Sequence, residues 1–96
     1  MVVNVRLFGI LAILAKERRI ALNLPAGATL GDVIAALGSR LGSKFLESIL
    51  RIPGELHSYC EVFVNNERVE QFGTVLQATG SAAEVGIILL MASEGG

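Results

Sequence analysis

A single cysteine, Cys60, and a single histidine, His57, leave little metal or redox chemistry open to this sequence. An internal disulfide is excluded, and no CxxC pair or Cys/His cluster exists to hold structural zinc. Such cysteine usage fits a reducing compartment, so a cytoplasmic location is expected. No basic run exceeds the pair Arg18-Arg19 near Lys16, and eight Lys plus Arg against nine Asp plus Glu give a formal net charge of -1. Nucleic acid and anionic membranes both need a concentrated positive field, so neither is an expected partner. The longest apolar stretches, residues 7–15 and 85–92, are less than half of the ~20 residues that span a bilayer. The start shows neither the basic segment nor the cleavage site of a signal peptide. Among 11 glycines neither GxxxxGK[ST] nor GxGxxG occurs, so nucleotide binding by this chain alone is not expected.

What is present is ample apolar material. The 96 residues are 52% hydrophobic, the mean hydropathy is +0.60, and the length suits one core rather than two. Residues 2–8 alternate, with Val3, Val5 and Leu7 on the expected inner face and Asn4, Arg6 and Phe8 on the other. Gly9 ends this strand, a short amphipathic turn or helix follows over 10–19, and Ile20, Leu22 and Leu24 restore the alternation. After Pro25-Ala26-Gly27, Thr29 is placed to cap a helix, with Asp32 as a short-armed capping-box partner. Leu30, Val33, Ile34, Leu37 and Leu41 then recur at helical spacing, and Gly42 is expected in the left-handed position that ends many helices. A second short helical turn is predicted over 43–51, with a loop forced by Pro53-Gly54. Cys60, Val62 and Val64 alternate into a hairpin turn at Asn65-Asn66, and a last strand is predicted over 85–91. The order predicts an α+β domain with one main helix across one face of a mixed four- to five-stranded sheet, the last strand beside the first. That arrangement is the ubiquitin-like β-grasp, expected over residues 1–91 with a flexible tail over 92–96.

Catalytic candidates are few. Nucleophilic catalysis needs a base beside an activated nucleophile, and only His57 and Cys60 offer one. Cys60 shares the parity of Val62 and Val64 and reads as an inert core thiol, and His57 reads as a loop residue whose ring bonds to backbone. The carboxylates are spread along the chain without the grouping of a magnesium site. An independent enzyme is therefore not expected, nor a cofactor bound by the chain itself. The parity that sends Val62, Val64, Ile87 and Leu89 toward the helix sends Phe63, Ile88 and Leu90 away from it. These three form either an exposed apolar partner surface or a patch covered by the loop 71–83.

The chain closes on Gly95-Gly96. A terminal carboxylate is ionised at neutral pH, since its ordinary pKa is about 3.3 to 3.7. It can attack the α-phosphate of ATP when another protein holds both, giving an acyl-adenylate that a sulfur nucleophile converts to a thiocarboxylate at Gly96. Glycine suits a tail that threads a narrow site in extended form, and residues 92–96 reach roughly 17 Å. With Phe8 closing the first strand, the segment Leu24-Pro25-Ala26-Gly27-Ala28-Thr29-Leu30-Gly31-Asp32, the hairpin Val64-Asn65-Asn66-Glu67 and the Gly95-Gly96 end, the sequence resembles the ubiquitin-like sulfur carriers. That family includes the small subunit of molybdopterin synthase, the thiazole-forming carrier and the cysteine-biosynthesis carrier. Pro53-Gly54-Glu55-Leu56-His57, Tyr59 and the hairpin over 62–69 look most like the last of these.

The resemblance implies activation by a ubiquitin-activating-type adenylating enzyme that uses ATP and magnesium, then sulfur delivery to an acceptor synthase. In the cysteine branch it implies a pyridoxal-phosphate acceptor and a metalloprotease that frees the product. The chain departs from the family where Gly80-Ser81-Ala82-Ala83-Glu84 replaces the usual Gly-Asp-acidic turn, where the proline near the tail is missing, and where Glu94 precedes the glycines. A negative charge at Glu94 is expected either to impair docking with the usual activating enzyme, with loss of carrier chemistry, or to select a different one by electrostatic exclusion. Two alternatives stand beside the carrier reading: a binding module using Phe63, Ile88 and Leu90 with an idle tail, and a modifier joined to lysines of other proteins.

Overall fold

The computed structural model describes residues 1–90. The expected tail over 92–96, and with it Glu94, Gly95 and Gly96, lies outside the described residues. Strand β1 (Val2–Leu7) buries Val3, Val5 and Leu7. It pairs antiparallel with β2 (Arg19–Asn23), whose Ile20 and Leu22 face the same side. The connection holds a one-and-a-half-turn helix, α1 (Ile10–Ala15), entered through Gly9 at φ 57° and left through Lys16 in the left-handed region at φ 60°.

The long helix α2 (Leu30–Leu41) starts where the sequence places its cap. The Asp32 N–H donates to Thr29 Oγ1 at 3.2 Å, and the Thr29 N–H donates to Asp32 Oδ2 at 2.9 Å. Two of the orphan donors of the first turn are thereby satisfied by side chains. Leu30, Val33, Ile34 and Leu37 are buried against the sheet. Gly42 departs from expectation: at φ 99°, ψ 171° it is not in the left-handed helical region but in an extended conformation open to glycine. The cause is its double duty, because Gly42 closes α2 and also opens α3 (Ser43–Ile49), so the chain must turn from one axis to another within a single residue.

The stretch around Pro53-Gly54 is more ordered than a loop. It is the turn of a small antiparallel hairpin between β3 (Leu50–Ile52) and β4 (Glu55–Leu56), with Gly54 at φ 85°. A second hairpin joins β5 (Cys60–Val64) to β6 (Glu67–Val69) through Asn65 and Asn66 at φ 49° and 71°, the paired positive values of the tight turn that matches strand twist. The final strand β7 (Ala82–Leu89) begins at Ala82 rather than Val85, because Ala82, Ala83 and Glu84 pair with Val2, Val3 and Asn4. The weak strand propensity of Ala-Ala-Glu conceals this extension, and the neighbouring strand decides it.

These strands form a five-stranded sheet in the order β2-β1-β7-β5-β6, with β7 parallel to β1 and antiparallel to β5. This is the ubiquitin-like β-grasp. Its core lies between the sheet and the helices, where Val62, Val85 and Ile87 meet Val33, Leu37 and Ile49. Among the described residues no helix is long and apolar enough to cross a membrane.

Candidate functional site

Strand parity divides the sheet into two faces, and the face turned away from α2 carries the candidate site. Residues opposed in the register form cross-strand rows on it. Arg6 lies opposite Arg19 on one side and Gly86 on the other, Gly86 lies opposite Phe63, and Phe63 lies opposite Arg68. The next row in one direction brings Asn4 beside Glu84, whose Oε2 accepts from Asn4 Nδ2 at 2.9 Å. In the other direction Ile88 pairs with Glu61.

Gly86 is what opens this face at its centre. A Cβ there would lie 3.3 Å from Phe8 Cε2, tighter than a relaxed contact, so its absence lets the Phe8 ring lie over the strand. An open groove of about 600 Å³ results, its apolar part formed by Phe8, Phe63 and Ile88 and its polar ends by Arg6, Glu84 and Asn65. The Arg6 guanidinium stands 6.0 Å from the centre of the Phe8 ring, an arrangement in which the cation meets the ring's negative face.

The structure therefore places Phe63 and Ile88 together in one groove. Leu90 stands outside its lining: it follows the last residue of β7, is 48% exposed, and donates its N–H to the Tyr59 carbonyl at 2.7 Å. Of the segment 71–83, Thr79 alone lines the groove, and Phe63 remains half-buried. Asn65 fastens that segment, accepting from the Glu84 N–H at 3.0 Å while its Nδ2 donates to the Gln77 carbonyl at 2.6 Å. Phe8, Arg6 and Gly86 were not among the residues singled out for the site. Their signal is in the same alternation: Arg6 and Phe8 share the outer parity of Asn4, and Gly86 shares that of Ile88.

The remaining reactive groups are disposed otherwise. Cys60 is buried, and that burial, aided by the charge of neighbouring Glu61, pushes its thiol up to about 11. It is neutral at physiological pH and a poor nucleophile. His57 does not use its ring as expected: the imidazole stacks on Tyr59 with ring centres 4.6 Å apart and planes 12° from parallel. Its backbone does the hydrogen bonding instead, with the N–H donating to the Ile49 carbonyl and the carbonyl accepting from the Cys60 N–H, each at 3.0 Å. Among the described residues no group of three or more His, Cys, Asp and Glu side chains is placed to hold a metal ion. What this arrangement can offer is a surface for another macromolecule.

No family model and no curated protein matches the sequence. Solved structures do. SAMP1 from Haloferax volcanii, a small archaeal modifier protein, superimposes with a TM-score of 0.79 at 25% identity, over 98% of this chain and 100% of its own. CysO from Mycobacterium tuberculosis follows at a TM-score of 0.71 and 26% identity, with 93% of this chain and 99% of that one covered. Its structural relatives are ubiquitin-like sulfur carriers and modifiers. A putative molybdopterin converting factor subunit 1 from Pyrococcus furiosus matches in fold, with a TM-score of 0.73 at 19% identity over 95% of this chain and 99% of its own. These ubiquitin-like relatives are small carrier and modifier proteins rather than enzymes.

Proposed function

We infer that this chain is a sulfur carrier whose Gly96 carboxylate is activated by a partner enzyme and leaves that enzyme as a thiocarboxylate. The observation that carries the reading is the placement of β7. It is the middle strand of the sheet, parallel to β1, and the sequence continues from it through Leu90 and Met91 to Glu94-Gly95-Gly96. A rigid body thus stands directly behind a segment that ends in two residues without side chains.

In the first step a carboxylate oxygen of Gly96 attacks the α-phosphorus of ATP, which an adenylating enzyme of the ubiquitin-activating type holds with magnesium. The bond between the α- and β-phosphates breaks, pyrophosphate leaves, and an acyl-adenylate remains. Hydrosulfide then attacks the carbonyl carbon, AMP departs, and the proton on sulfur passes to solvent. An acceptor synthase takes the sulfur from the thiocarboxylate, and water attacking the acyl carbon supplies the oxygen that restores the carboxylate. ATP and magnesium belong to the partner in this scheme. The folded body contributes recognition through Phe63 and Ile88 in the groove and through Leu90 after β7, and Glu94, next to the glycines in sequence, adds a charge. Cytoplasmic chemistry of this kind accords with a lone, un-ionised Cys60.

The likeness to SAMP1, a modifier by name, favours a second reading in which a lysine amine rather than sulfide takes the acyl group. ATP–pyrophosphate exchange with the adenylating enzyme tests what both share. Deleting Gly95 and Gly96 should abolish exchange while the far-ultraviolet circular dichroism stays unchanged, because glycines have no side chain to bury. Phe63→Asp should retain the glycines yet weaken docking by at least about tenfold, as expected for a charge buried in an apolar contact. Exchange that survives the deletion would leave only a binding module. Branched Gly-Gly peptides on lysines from cells would select the modifier over the carrier.

A further inference from the structure

The geometry points to the concave surface between α1 and the start of β2 as a docking site for an acidic segment of another protein, one bearing an apolar side chain among its carboxylates. The site does not draw on Gly95 or Gly96 and stands whether or not the sulfur-carrier reading does. Among the three helices α1 is the least absorbed by the core. Leu11 is buried, but Ile10, Ile13 and Leu14 are 43, 74 and 53% exposed, so three large aliphatic side chains project from six residues. Scattered single apolar residues need no explanation, whereas a contiguous knob of this kind marks a contact surface.

Beside the knob runs a groove of about 670 Å³. Leu7, Phe8, Ala12 and Ile13 form its apolar part, and Arg6, Lys16, Arg18 and Arg19, four of the chain's eight Lys and Arg residues, also line it. The one carboxylate in the lining, Glu17, is already paired with Arg40 at 3.0 Å. Sequence separates Arg6 from Arg18 and Arg19, and the antiparallel register of β1 and β2 brings them together, with Arg6 directly opposite Arg19. Like charges opposed across a strand pair repel, and among the described residues none of the four cations has an ion-pair partner. An anion supplied from outside relieves that repulsion. A chain of net charge -1 thus concentrates positive charge on one surface.

The occupant follows from needing both features at once. A second copy of this chain on a twofold axis would bury the Ile13 knobs together but set cations against cations. Nucleic acid would pair its phosphates with the arginines and leave Ile13 and Leu14 in water. A flat lipid headgroup layer would take the knob and leave the groove unfilled. An acidic polypeptide segment with an interleaved apolar residue satisfies groove and knob together, and the complementary charge also speeds its encounter.

Nuclear magnetic resonance titration of the isotope-labelled full chain tests this with three probes: a synthetic peptide alternating Glu and Leu, an oligonucleotide, and phosphatidylglycerol vesicles. The peptide should shift amide signals of residues 6–19, and joint Arg18→Glu and Arg19→Glu substitution should weaken it by about tenfold or more, as should raising the salt well above physiological strength. Ile13→Glu, on a largely exposed helix position, should weaken it to a similar degree while the rest of the spectrum reports an intact fold. Shifts elsewhere, an affinity unchanged by charge reversal, or tighter binding of the oligonucleotide or vesicles at these residues would overturn the proposal.

Discussion

Cys60 sits in the core between sheet and α2, and its environment decides its chemistry. Its thiol is pushed up to about 11, whereas a thiol in an unfolded chain ionises near about 8.5. Labelling by a disulfide reagent at mildly alkaline pH should therefore be slower in the native protein than in denaturant by about two orders of magnitude, counting ionisation alone. Linkage fixes the sign of the stability effect. Between those two values the unfolded chain has released a proton that the native chain retains, so stability falls as pH rises through that window and is unaffected below it. Cys60→Ala should remove that slope, as chemical denaturation at a series of pH values would reveal. An equal labelling rate in the two states would mean that the thiol is accessible and ionised.

At the scale of elements, the two helices α2 and α3 approach closely because Gly38 has no side chain. A Cβ at Gly38 would lie 2.5 Å from Leu46 Cδ1 and 3.0 Å from its Cγ. Ala in place of Gly in a helix gains up to about 1 kcal/mol from propensity, while overpacking typically costs about 1 to 3 kcal/mol. Gly38→Ala should thus destabilise by roughly 1 kcal/mol, read as a lower denaturation midpoint. Thr29→Ala, which removes one half of the reciprocal cap with Asp32, should cost about 1 kcal/mol by the same measurement. These elements show why the fold was readable in outline. The 2-residue period of Val3, Val5 and Leu7, the helical spacing of Leu30 to Leu37 and the cap at Thr29 are local signals, and each element formed where its signal lay. The hairpin at Pro53-Gly54 and the first residues of β7 were not readable in this way, because their structure depends on a partner distant in sequence or too short to show a period. The site divides likewise: Phe63 and Ile88 follow from parity, but the opening above Gly86 depends on the Phe8 ring, a contact across strands that no single-strand pattern reveals.

At the scale of the whole molecule, the folded body presents two concave surfaces, each proposed above as a recognition site, and a buried, un-ionised thiol. One surface is the apolar groove of Phe8, Phe63 and Ile88, and the other is the basic hollow beside α1. In the carrier reading the chemistry falls to Gly96. That division predicts separable defects: surface variants should change affinity for partners, and changes to the glycines should change only what is transferred. The most direct test is the mass of the C-terminal peptide after incubation with a competent adenylating enzyme, ATP and sulfide. A gain of about 16 Da on Gly96, the exchange of one oxygen for one sulfur, is the predicted result. An unchanged mass under conditions in which the enzyme converts its own known carrier would contradict the account.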